Sequence, residues 1–205
     1  MSFGTFSYPI PANEPVNSYA PGTPEKAALK KAIADLKKKI EDEVHRARDK
    51  TFVKHYFSTY SEPPLPPSWS VCECVTFGLW SRIFKHLKDP VDRKAISQRF
   101  KVSVPEVFES WIHALTVLRN LVAHNGQLLR VTLGVGPRSY RQASIRFVDS
   151  KSFYAVATVI NYLLTQTGLP QDWSGQLAAL FEKYPRISRA DIGFPADWNE
   201  RSGWR

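Results

Sequence analysis

Arg119, Asn120, His124 and Asn125 fall close together in "LTVLRNLVAHNGQLLR" (115–130), a stretch that is otherwise mostly apolar. Imidazole is the side chain most readily tuned to exchange protons near neutrality. Guanidinium stays charged and offers phosphate a planar set of donors. Together they suit proton transfer beside a clamped phosphodiester. On ideal helix geometry, Val107, Trp111, Leu115, Leu118 and Val122 share one side, with Ala114 and Leu121 at its margin. Glu109, His113, Thr116, Asn120 and His124 line the opposite side within about 80°. Arg119 stands at the flank of that line and can lean toward His124. A polar stripe on an amphipathic helix is usually a solvated face. The pairing of a permanent cation with a near-neutral base raises the chemical reading above that.

The helix that carries these residues is expected over about 105–124, with Ser103 as its cap and Pro105 early in its first turn. Ahead of it, Thr23-Pro24-Glu25 is a sound helix start. It opens a long charged helix, "EKAALKKAIADLKKKIEDEVHRARDKTFVKHYFSTY", with a narrow apolar stripe from Ala28 to Ala47. The prolines of "SEPPLPPSW" end that helix. "SWSVCECVTFGLWSRIFKHL" is apolar nearly all round and is expected to be buried on several sides, so Glu73 within it needs a partner. After Gly126 helical periodicity stops, and the glycines and short alternating runs of "QLLRVTLGVGPRSYRQASIRFV" predict a loop or small hairpin. "DSKSFYAVATVINYLLTQTG" predicts a helix begun by Asp149 or Ser150 and closed by Gly168. "DWSGQLAALFEKYP" is a shorter one, and the Ile, Phe and Trp side chains of the tail should pack back. With no repeats and no βαβ alternation, the fold class is mainly α. It is a helical bundle with a small loop or hairpin insertion, an extended proline-rich arm over 1–24 and a single domain over 25–205.

Lys and Arg outnumber Asp and Glu by 28 to 19, a formal charge of +9. Such an excess favours a polyanionic partner, RNA or DNA first and an anionic membrane surface second. Cys72 and Cys74 form a C-x-C pair without further cysteines, a poor zinc site, and read as small buried hydrophobes. No metal and no cofactor are expected: a Walker or Rossmann phosphate loop is missing, and "GVGPR" has neither the lysine nor the following glycine. No apolar run approaches a membrane span, and the N-terminus lacks the character of a signal peptide. The expected location is the cytoplasm, with no membrane partner.

"RNLVAHN" has the R-x4-H spacing, with Asn directly after the Arg, of the HEPN ribonuclease superfamily. "FVKHYFSTY", "PPSWSVCECVTFGLWSRIFKHL", "VFESWIHALTVLRNLVAHN" and "YPRISRADIGFPADW" resemble, in order, successive blocks of the bacterial abortive-infection (Abi-like, AbiD/AbiF-type) family, over roughly residues 45–205. The resemblance implies a HEPN-like bundle that cleaves RNA in defence against phage, without a metal and in a cleft shared by two protomers. It implies that Arg119 stabilises the phosphorane, His124 is the general acid/base and Asn120 orients or binds. Glu73 would anchor Arg119 or brace the site, with His113 and Asn125 in support. Arg82, Lys85 and Arg130 are the expected RNA contacts. The family places a second basic or histidine-like residue after the motif histidine, where this chain has Asn125. Its longer members carry a further helical half where this chain has the arm. The alternative reading is therefore a catalytically inactive RNA-binding module, or a subunit that depends on a partner protein or small RNA.

Overall fold

The computed structural model describes residues 20–168 and 172–204. Of the expected arm, residues 1–19 lie outside the described residues. The rest forms eight α-helices among the described residues, and the chain divides into two compact units, 1–74 and 75–205.

The first unit contains α1 (Pro24–Arg46), α2 (Thr51–Thr59) and the short α3 (Ser68–Cys72). Thr23 caps α1 with its hydroxyl, accepting from Lys26 N–H, and Pro24 takes the first position, as the sequence signals. The single helix expected through Tyr60 is instead broken at 47–50. Ala47 closes α1, and Lys50, in an extended conformation, starts α2. The break lets the two helices share contacts that a straight rod would keep apart. His45 stacks on Phe57, the Arg48 guanidinium lies 4.9 Å from the same ring, and Lys50 donates from Nζ to the Glu73 carbonyl at 2.6 Å. Val44, Val53 and Tyr56 are the buried residues of these helices, whereas Ile33 of the predicted stripe is 58% exposed. Most of α1 is a solvated helix. The Tyr56 hydroxyl donates to the Pro63 carbonyl at 2.7 Å and so ties down the proline-rich turn.

The 68–87 run is not one buried helix. Cys72 ends α3, and Thr76 caps a new helix, α4 (Phe77–His86), by accepting from Leu79 N–H. A threonine that satisfies an orphan amide favours a fresh start over continuation. Glu73 sits at the C-terminal cap of α3 and is exposed, so the carboxylate is solvated and not buried as its apolar neighbours predict. Trp69 is 74% exposed and Cys72 is exposed too, so neither fits the predicted burial.

The second unit centres on α6 (Pro105–Ala123), contacted by α4, α5 (Pro90–Arg99) and α7 (Phe153–Thr167). Its core joins Phe84, Phe108, Trp111, Ile112, Tyr140, Ile145 and Val159. Val104, not Ser103, precedes α6; Ser103 bonds through its N–H and hydroxyl to the Tyr140 hydroxyl. Within 126–148 the hairpin reduces to one antiparallel bridge, Tyr140↔Ile145, around a 3-10 turn. α7 begins with Ser152 as cap, three residues later than predicted from Asp149, and Gly168 closes it in the left-handed region. Asp172 caps α8 (Trp173–Lys183). The tail packs back as expected. Ile192, Phe194, Trp198 and Trp204 close on Tyr154, Ala157 and Leu177, and the Trp204 indole donates to Thr158 Oγ1 at 2.8 Å.

Candidate nucleic-acid-processing site

α6 buries Val107, Phe108, Trp111, Ile112, Ala114 and Leu118, close to the predicted apolar side. Val122 is the exception at 52% exposed. The polar line on the other side is not uniform. At its start Glu109 is taken up by Arg93 of α5, with Nη2 to Oε2 at 2.7 Å, and Glu106 stands 3.7 Å from the same guanidinium. Arg93 also lies over the Phe84 ring. Glu109 is thus a partner in a half-buried ion pair, and no lone carboxylate stands ready as a base. His113 is exposed. Thr116 turns its hydroxyl back onto the Ile112 carbonyl at 2.8 Å, and α4 crosses it there: a Cβ on Gly78 would stand 3.2 Å from the Thr116 methyl.

The last turn differs from what precedes it. Arg119, Asn120, His124 and Asn125 are all exposed. Arg119 donates from Nη1 to Asn120 Oδ1 at 3.1 Å, so the amide directs the guanidinium. Five residues separate Arg119 from His124, a rotation of about 140°. The two therefore stand on either side of the Asn120 amide and do not stack along one line. Among the described residues Arg119 makes no ion pair, and its charge is available to a ligand.

His124 is the C-terminal cap of α6. Asn125 follows at φ +53°, in the left-handed region, and its N–H donates to the Val122 carbonyl at 3.0 Å. Gly126 N–H then reaches the Leu121 carbonyl at 2.8 Å. These two bonds form the Schellman closure of a helix. Asparagine is the non-glycine residue that best tolerates that backbone. A Cβ on Gly126 would meet the Leu121 carbonyl oxygen at 2.8 Å, which fixes glycine there. The residue after the motif histidine thus has a backbone duty here. The sequence carried the signal in "HNGQ", an asparagine-glycine pair that ends a periodic run.

The other expected residues lie on other elements. Glu73 belongs to the first unit, whereas Arg119 and His124 belong to the second. Arg82 and Lys85 are exposed on α4. Arg130 is committed in part: its N–H donates to the Asp191 carbonyl at 2.8 Å and its guanidinium pairs with the Asp191 carboxylate at 3.0 Å. The side-chain hydrogen bond to Asp191, with the carboxylate charge behind it, raises the Arg130 pKa further. Burial raises the pKa of the Cys74 thiol, opposed by the nearby Lys50 charge, so the C-x-C pair offers no activated thiolate at Cys74. Among the described residues no three His, Cys, Asp or Glu side chains are grouped as metal ligands, and no helix is long and apolar enough to cross a membrane.

The Abi-like protein family matches residues 5–130, more than half of the chain and the whole of α6 through Arg130. The chain belongs to the Abi-like protein family. Membership associates it with abortive infection. The match begins far ahead of residue 45, so most of the proline-rich arm and all of α1 lie within the family's span. It ends before the "YPRISRADIGFPADW" block. No curated protein and no solved structure matches the chain.

Proposed function

We propose that this Abi-like chain is a metal-independent endoribonuclease, the toxin of a phage-defence system, with Arg119, Asn120 and His124 at its centre. The observation that carries the reading is the exposed end of α6. There a guanidinium with no acid partner among the described residues is directed by an amide one residue away, and an imidazole stands at the helix cap. RNA brings its own nucleophile. His124 takes the proton of the 2′-hydroxyl, and that oxygen attacks the adjacent phosphorus. The bond to the 5′-oxygen breaks, and the leaving oxygen receives a proton. Arg119 holds the charge that builds on the non-bridging oxygens. The products are a 2′,3′-cyclic phosphate and a 5′-hydroxyl. The end of α6 supplies one imidazole, so a second copy of the chain provides the acid for the leaving group, and the active species is a homodimer in the cytoplasm.

Incubation of RNA with the protein in EDTA tests this, with His124→Ala and Arg119→Ala alongside. Removing a positioned general acid/base lowers such rates by about 10²–10⁴-fold. Both variants should lose cleavage while keeping the wild-type melting temperature. Equal cleavage by wild type and His124→Ala would refute the assignment.

The alternative is an RNA-binding subunit that is silent without a partner protein or small RNA. The openness of the site favours it, because Arg119 and His124 are both solvent-exposed and the end of one helix supplies one of each. Its signature is RNA binding without cleavage by the purified chain.

A further inference from the structure

From Ser110 to Val148 the chain has no Asp, no Glu and no Lys, yet it carries Arg119, Arg130, Arg138, Arg141 and Arg146. Arg130 has Asp191. The last three, within nine residues of the 126–148 loop, are exposed, and among the described residues they make no ion pair and lie over no aromatic ring. Among the described residues the other arginines of this unit with ion pairs are Arg93 and Arg201.

The backbone under these three arginines is held on all sides. Pro137, Tyr140 and Ile145 are buried, and Tyr140 and Ile145 exchange both backbone hydrogen bonds, at 2.8 and 3.0 Å. The Trp111 indole donates to the Arg138 carbonyl at 2.8 Å, and Arg138 N–H donates to Ser110 Oγ at 3.0 Å. The Tyr140 hydroxyl is bonded to Ser103, Gln142 and the Lys101 carbonyl. Gly136 presses on Ser150, where a Cβ would stand 2.3 Å from the carbonyl oxygen. Since Tyr140 and Ile145 face the core, their neighbours Ser139, Arg141, Ser144 and Arg146 face water, as their exposure shows. A fixed loop that displays unpaired cations loses little entropy when it binds an anion.

We infer that the Arg138–Arg146 loop is an RNA-backbone clamp, distinct from the end of α6, which holds the chain whose phosphodiester is cut at His124. It rests on the ribonuclease reading above. Two features select a phosphodiester chain over an acidic protein. The cations are all arginine, whose planar fork matches phosphate oxygens and also stacks on bases. No large apolar side chain is exposed from Arg138 to Arg146, and the exposed Val148 that follows is a single small side chain, so this stretch lacks the aromatic anchors of a protein interface. Arg138 is tied to Ser110, which lies 14 residues before His124 on the same helix, so RNA that engages both spans about 20 Å along α6.

The test compares wild type with an Arg138→Gln/Arg141→Gln/Arg146→Gln variant of the full chain. Affinity for a labelled single-stranded RNA is read by fluorescence anisotropy across a salt series, with cleavage and melting temperature measured in parallel. Three lost phosphate contacts, at about 0.7 each for a single strand, should lower the salt slope of log K by about 2. Binding and cleavage should weaken together at an unchanged melting temperature, while His124→Ala keeps the wild-type slope. Cleavage by wild type with an unaltered slope in the triple variant overturns the clamp and leaves the ribonuclease standing. No RNA bound or cut by wild type overturns both. Binding of polyglutamate in place of RNA, with the same dependence on the three arginines, overturns the clamp in favour of an acidic polypeptide.

Discussion

Asn125 is the residue at which chemistry and architecture make opposite predictions. It stands beside His124, where a basic or histidine-like residue was expected, and it holds φ +53° in the turn that closes α6. If that backbone is its duty, Asn125→Gly keeps the left-handed conformation and the bonds from residues 125 and 126 to Val122 and Leu121. Asn125→Val places a β-branched side chain where an ordinary L-residue costs about 1–2 kcal/mol. A chain segment of this size loses about 3–4 °C of melting temperature per kcal/mol. The valine variant should therefore melt about 3–8 °C lower, and cleavage should fall because His124 is the cap of the same turn. The glycine variant should melt within about 2 °C of wild type and cleave RNA as well as it does. Circular dichroism melts and cleavage time courses on the three proteins decide it. Loss of cleavage in Asn125→Gly at an unchanged melting temperature would refute the reasoning and return the amide to the chemistry.

Two further outcomes follow from the second unit. Trp111 is fully buried, and its indole donates to Arg138; Trp111→Phe keeps a ring there but leaves that carbonyl unpaired. It should cost about 2–4 kcal/mol, from the lost bond and the residual cavity, as the shift of the urea midpoint will show. Burial, with Tyr140 close by, raises the Tyr162 phenol pKa above the ordinary tyrosine value. The neutral phenol is favoured in the folded state, so its stabilising contribution is complete below the unfolded pKa and is lost as the pH rises through the folded one. Alkaline denaturation should therefore begin at higher pH in Tyr162→Phe, a change that a pH series of melts will register.

The elements set by near neighbours were legible in the sequence. Thr23 with Pro24, Pro105, Gly168 and Asp172 mark helix ends through hydrogen bonds or fixed torsions that reach no further than a few residues, and the observed helices stop and start there. The bounds of α6 and most of its buried face follow from 3.6-residue periodicity in the same way. The R-x4-H grouping and the acid-free run from Ser110 to Val148 are likewise properties of residue order.

What the tertiary structure decided was burial, pairing and direction, because each depends on which segment arrives from far along the chain. Nothing local told that helix α1 would break at Ala47, where the fold exchanges a straight helix for contacts of Phe57 with His45 and Arg48. Glu73 looked buried because its neighbours are apolar, yet α3 ends beside it and leaves it in water. Glu109 looked free, and Arg93, 16 residues away, neutralises it. The three loop arginines gained meaning only once Trp111, Ser110 and Tyr140 were seen to hold their backbone. Hydrogen-bond geometry over four residues is written in the order of the chain, whereas the desolvation of a charge is set by everything that packs around it.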